Sequence, residues 1–166
     1  MSFTEGSYEK ALIALFENLG YQHQYGPNIE RDYYVPFYEE QLIESLTTIN
    51  YGKPRPAIDE AISKLKDIEI GSLPQRNELF MDYLQHGIEV SFFDGKEQCN
   101  DIIYLIDYND KNIKRNDFKV INQWTFVENS EKRADIILFV NGLPLVVIEL
   151  KSPSREETNV SEAYLQ

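Results

Sequence analysis

Residues 133–153 restrict the fold more than any other part of the chain. They form two apolar, strand-like runs that meet at Asn141-Gly142. Asn-Gly between apolar runs is a strong hairpin signal, because both turn positions favour a left-handed backbone. Residues two apart on a strand face the same way, so Leu145, Val147, Glu149 and Lys151 share one face, and Val146, Ile148 and Leu150 the other. Both faces stay apolar as far as Ile148, which predicts a central strand covered on both sides. Glu149 and Lys151 then emerge at its C-terminal end, where open sheets tend to place ligands.

Asp135, on the partner run, joins these charges in only one parity. A two-residue Asn141-Gly142 loop opposes Asp135 to Ile148 and turns it away from Glu149. A three-residue loop, Val140-Asn141-Gly142, opposes it to Val147 and brings it diagonal to Glu149. An odd loop or a bulge is therefore expected. Two adjacent carboxylates suit a hard divalent cation such as Mg²⁺, which takes oxygen ligands and keeps several waters. Such a cation activates water and polarises a phosphate, while a lysine orients the water or stabilises developing negative charge. Solvated charges at strand ends give the same spacing. Placement on a buried hairpin is what speaks for a site.

The chain has 166 residues, enough for one domain with a sizeable core. No apolar run is long enough to span a membrane, and the N-terminus lacks the basic and apolar regions of a signal peptide. A lone cysteine, Cys99, makes no internal disulfide, so a reducing, cytoplasmic setting is expected. A net charge of −12 argues against a free-standing DNA binder, because phosphate neutralisation needs Lys and Arg.

Helical periodicity is read over 4–19, capped by Thr4 and stopped by Gly20, and again over 37–48, 56–67 and 74–86. From Gly87 the chain becomes rich in Ile, Val, Phe and Tyr, and strands are predicted at 88–93, 101–108 and 118–127, with a short one at 21–25. A last helix is expected from Asn159 or Ser161. Helices, then a sheet, then a helix give an α/β or α+β sandwich.

Asp135…Glu149-Leu150-Lys151 matches the core pattern of the PD-(D/E)xK nuclease superfamily. The longer run Ala134-Asp-Ile-Ile-Leu-Phe-Val-Asn-Gly-Leu-Pro-Leu-Val-Val-Ile-Glu-Leu-Lys-Ser-Pro153 closely resembles the N-terminal domain of type I restriction enzyme R subunits. Val120-Ile-Asn-Gln-Trp-Thr-Phe126, Asn77-Glu-Leu-Phe80, Leu84-Gln-His-Gly-Ile-Glu-Val90, Tyr104-Leu-Ile-Asp-Tyr108 and Thr4-Glu…Tyr8-Glu9 fit as well. The resemblance thus covers nearly the whole chain. It implies a mixed sheet flanked by helices, in a single endonuclease domain over 1–166 at the N-terminus of a larger, motor-containing subunit. It makes Asp135 and Glu149 metal ligands and Lys151 the catalytic lysine, with Mg²⁺ as cofactor. It also assigns a first-helix glutamate as a further ligand, Glu9 ahead of Glu5, and matches Gln166 to the glutamine of a Gln-x-x-x-Tyr motif. Ala134 stands where the family usually has proline, which shapes backbone and is not a ligand.

The implied partners are double-stranded DNA and the specificity and methylation subunits of a restriction-modification complex, with no membrane. Cutting would follow ATP-driven translocation by domains not represented here. No G-x-x-x-x-G-K-[ST] phosphate loop occurs, so this segment should not bind ATP. Two other readings stay open. One is a repair or junction nuclease of the same superfamily, and the other is a non-catalytic interaction module that keeps the fold.

Other candidates read as structural. His23 and His86 lack metal-ligand spacing. Tyr33-Tyr34-Val-Pro-Phe37-Tyr38 reads as a packed connection, with Arg31 the only nearby base. Lys111-Asn-Ile-Lys114-Arg115-Asn116 reads as a turn-rich loop, and Trp124 as sheet packing.

Overall fold

The structure, a computed structural model, describes residues 5–68 and 71–151. Its order is α1 (Glu5–Asn18), β1 (Gln22–Tyr25), α2 (Glu39–Ile49), α3 (Arg55–Lys66), α4 (Leu73–His86), β2 (Ile88–Phe93), β3 (Gln98–Ile103), β4 (Phe118–Val127), β5 (Glu131–Val140) and β6 (Leu143–Ile148). This is an α+β fold with a mixed four-stranded sheet, as expected, and a second, two-stranded one. The Thr4 cap and the final helix lie outside the described residues. No described helix is long and apolar enough to cross a membrane.

The described residues group into two compact units. The first comprises 5–36, 118–139 and 144–151. Its sheet runs β1-β4-β5-β6, with β1 parallel to β4 and His23 opposite Val120. Helix α1 covers one face. Ile13, Val120, Ile136 and Leu138 form a buried cluster, against which Leu12, Phe16, Tyr21, Ile148 and Leu150 pack. Ile136 and Leu138 face this cluster, so alternation along β5 turns Asp135, Ile137 and Phe139 to the opposite face.

Among the described residues β6 ends the strand order, which corrects the expected central strand. Val146 and Val147 are 46 % and 57 % exposed, so an apolar run here does not mean burial on both sides. Inside the sheet, between β1 and β5, the β4 strand changes face in mid-course. Gln123 adopts a left-handed φ of 56°, an unusual conformation for a residue with a side chain. Val120 faces the α1 cluster and Asn122 bonds to Glu9 of α1. Unbroken alternation would put Trp124 on that face too. Instead its ring meets Phe139 at 4.7 Å between centroids, on the opposite face. This is what an inserted bulge residue does.

The second unit comprises 37–68, 71–117 and 140–143. Helix α3 lies against β2 and α2, and β2 pairs antiparallel with β3 from Ile88↔Ile103 to Phe93↔Gln98. The strand expected at 101–108 is displaced to Gln98–Ile103. Asn50 intervenes: its Oδ1 accepts the Tyr104 N–H at 2.8 Å and its Nδ2 donates to the Tyr104 carbonyl at 2.8 Å. With both backbone groups satisfied by a side chain, Tyr104 has no use for a strand partner. The Lys111–Asn116 loop is mostly a 3₁₀ helix, Asp110–Arg115. Its Arg115 bonds Asp107, Thr48 and Ile49, and so is structural.

The hairpin tip belongs to this second unit. Asn141 is fully buried, and its amide is saturated. Nδ2 donates to the Leu105 carbonyl and to Asn116 Oδ1, each at 2.8 Å, and Oδ1 accepts the Asp117 N–H at 2.8 Å. Asn141 and Gly142 have φ of 53° and 79°, as a two-residue type I′ turn requires. A Cβ on Gly142 would lie 2.6 Å from both Leu42 N and the Tyr38 carbonyl oxygen, so no other residue fits.

Candidate active site

Of the expected odd loop or bulge, the turn is not the odd element, since it has two residues, yet Asp135 and Glu149 still meet. An unbroken hairpin with this turn would put Ile148 on Asp135's face. Ile148 and Leu150 instead pack in the α1 cluster beside Ile136 and Leu138, and Glu149 between them lies within electrostatic reach of Asp135. The odd step thus lies along the strands and not in the turn, and the consecutive exposed pair Val146-Val147 marks broken alternation.

Beyond Ile148 the chain leaves the strand and turns in toward Asp135. The Leu150 N–H donates to Asp135 Oδ2 at 2.7 Å. Such a bond fixes the carboxylate's direction. Glu149 is exposed as a residue, but its carboxyl is partly desolvated. Its pKa is raised, chiefly by that burial and next by the negative charge of Asp135, with Lys151 pulling the other way. Asp135, Glu149 and Lys151 therefore act on one another electrostatically at one end of the β5-β6 hairpin. Two neighbouring carboxylates form an all-oxygen donor set of the kind that suits a hard divalent cation.

The other assigned residues stand apart. Glu9, on α1, accepts from Asn122 Nδ2 and from Gln123 Nε2 at 3.5 Å. Because a carboxylate can only accept, Asn122 presents its Oδ1 to His23 Nε2 at 2.9 Å, which must donate. This chain lies on the α1 face, and among the described residues no three acidic, His or Cys side chains converge as a metal centre. Gln166 lies outside the described residues, and the side chain of Glu5 is not described. His86 pairs with Asp82 on the surface of α4.

One feature went unread in the sequence. The guanidinium of Arg31 lies 3.4 Å from the centroid of the Trp124 ring and 4.8 Å from that of Tyr33. Trp124 is packed in the sheet as expected, at 1 % exposure. Tyr33 and Tyr34 are 41 % and 73 % exposed, so the expected packed connection is open at its first two aromatics. The signal available was Arg31 beside Tyr33-Tyr34, but its partner lies 93 positions on, and no local pattern announces it.

Comparison with known families places this geometry in context. The family described as type I restriction enzyme R protein N terminus matches residues 2–166. The chain is 30 % identical to the type I restriction enzyme HindI endonuclease subunit of Haemophilus influenzae, over 98 % of this chain and 16 % of that protein. It is 31 % identical to the type I restriction enzyme EcoprrI endonuclease subunit of Escherichia coli, over 98 % of this chain and 48 % of that protein. The chain thus spans a minor part of these relatives.

Proposed function

Since the chain belongs to the family of type I restriction enzyme R protein N termini, we propose that it is the nuclease module of such a subunit and hydrolyses phosphodiester bonds of double-stranded DNA. The observation that carries this reading is the Asp135–Glu149 pair, held at the hairpin end by the Leu150 N–H and flanked by Lys151.

Asp135 and Glu149 would hold Mg²⁺ between them, and the ion supplies Lewis-acid polarisation of the phosphate and a more acidic bound water. Asp135 is the fixed ligand, oriented by the backbone at 2.7 Å. Glu149 gains most from a cation, because its raised pKa reports charge it bears unwillingly. Lys151 places an ammonium beside the pair, where it steers the attacking water or offsets charge on the phosphate in the transition state. Glu9, bonded by Asn122 on the other face of the sheet, is left outside this set. DNA delivery is assigned to partner subunits and to ATP-driven translocation by further domains, since a chain of net charge −12 repels DNA. The setting is the cytoplasm.

The test is Mg²⁺-dependent nicking of a supercoiled plasmid by the assembled restriction complex. Asp135→Ala and Lys151→Ala should each abolish cutting while leaving complex assembly and ATP hydrolysis in place. Undiminished cutting in both would refute the site. Cutting lost together with assembly would favour a non-catalytic, structural role.

A further inference from the structure

Arg31 is a half-buried cation that makes no ion pair among the described residues, and its Nε is buried with no hydrogen-bond partner there. Its bonds go to carbonyls, Nη2 to Thr125 and Nη1 to Asp32 at 3.4 Å. The neighbouring Asp32 carboxylate accepts the Tyr34 N–H at 2.9 Å. Desolvation lowers the Arg31 pKa, and nearby Tyr33 and Asp32 offset this only in part. A charge taken from water normally acquires a counter-charge. Stacking on Trp124 and Tyr33 compensates in part, because the rings present their negative faces to the guanidinium. The buried Nε is out of a ligand's reach, and Nη1 and Nη2, each bonded to a neutral carbonyl, gain no counter-charge from it.

Position supplies the anion's identity. The Arg31 guanidinium lies over the Trp124 ring, that ring meets Phe139 at a 60° tilt, and Phe139 shares its face of β5 with Asp135. The bulge at Gln123 is what brings Trp124, and with it Arg31, to this face. The cation and Asp135 thus belong to one face of one sheet.

We propose that Arg31, clamped between Trp124 and Tyr33, is a DNA-backbone contact of the nuclease module, binding a phosphate of the duplex that Asp135 and Glu149 cut. The inference rests on the nuclease reading above. A guanidinium suits the task because its planar fork binds phosphate oxygens in pairs. The stack holds the fork in one plane before DNA arrives, which lowers the ordering cost of binding. Arg31 is a positioning residue: it fixes where the strand lies and takes no part in the bond exchange.

Trp124 is the chain's single tryptophan and reports on the stack directly. The full chain is titrated with a short duplex at low salt in Ca²⁺, read by Trp124 emission and by anisotropy of a labelled duplex. Binding should change Trp124 emission. Arg31→Met should weaken duplex affinity several-fold and lower the slope of log affinity against log salt by about 0.9, the loss of one phosphate contact. Arg31→Lys, which keeps the charge without the fork, should fall between and retain the slope; it is read alone if the Met variant does not fold. Trp124 emission unmoved at saturating duplex, an unchanged affinity and slope in a folded Met variant, or Lys binding as tightly as Arg would each overturn the proposal. If Arg31 proves indifferent while Asp135→Ala still abolishes cutting by the complex, the phosphate contact fails and the nuclease reading survives.

Discussion

At the residue scale the account turns on Glu149. Its raised pKa means the folded chain holds the Glu149 proton more tightly than the unfolded chain does. Its contribution to stability is therefore fully present below the unfolded carboxylate range. It is lost as pH rises through the raised folded value, where the fold must carry a partly desolvated charge beside Asp135. On the proposed reading a bound divalent cation would reverse this penalty. Thermal melts across pH should show Mg²⁺ stabilising the protein above that value and doing little below it. Glu149→Gln should remove this share of the pH dependence and the metal's effect together. A metal effect that persists in this variant would assign the ion elsewhere.

The meeting of Asp135 and Glu149 was legible from the sequence, because strand alternation constrains parity and an even count would have separated them. Where the odd step lies was not legible. Asn141 and Gly142 make an ordinary two-residue turn, and the parity is made up along the strands. Nor was the Leu150 N–H bond to Asp135 foreseeable, since it depends on how the chain bends after Ile148.

At the scale of elements, two left-handed positions set the frame. Gly142 is closed in by Leu42 N and the Tyr38 carbonyl oxygen. Gly142→Ala should destabilise by roughly 2–4 kcal/mol, from backbone strain and displaced neighbours together, measured by urea denaturation. A loss under 0.5 kcal/mol, roughly the scale of an indifferent surface change, would contradict the crowding described. Gln123 makes the converse case. Gln123→Gly should be neutral or stabilising, because glycine accepts a positive φ freely, whereas Gln123→Val should cost roughly 1–3 kcal/mol. Equal stabilities for the two would mean that no bulge exists there. The four long helices and most strands were readable from periodicity and glycine stops. The β3 strand was misplaced because Asn50, more than fifty positions away, satisfies the backbone of Tyr104. Composition carries no record of such a bond.

At the scale of the molecule, the acid excess and the site pull in opposite directions. A charge of −12 raises the local cost of bringing a phosphate to Asp135 and Glu149. Cutting should therefore depend on delivery by partner subunits and motor domains, and the isolated chain should nick DNA far more slowly than the complex. Plasmid nicking by equal concentrations of each tests this; equal rates would show that the module needs no help. The family was legible from the Ile-Ile-Leu-Phe-Val-Asn-Gly-Leu-Pro-Leu run and the upstream segments, and the match over residues 2–166 agrees. Arg31 was not, because its meaning comes from a ring 93 positions away on a strand that changes face at a bulge.

The central claim is that Asp135, Glu149 and Lys151 form a metal-dependent cutting centre, and single-turnover cleavage by the assembled complex tests it most directly. Wild type should cut only with Mg²⁺. Asp135→Ala, Glu149→Ala and Lys151→Ala should each leave translocation intact and reduce cleavage by at least ~10³-fold, as loss of a principal electrostatic group does. Cleavage by any of the three at the wild-type rate would contradict the account.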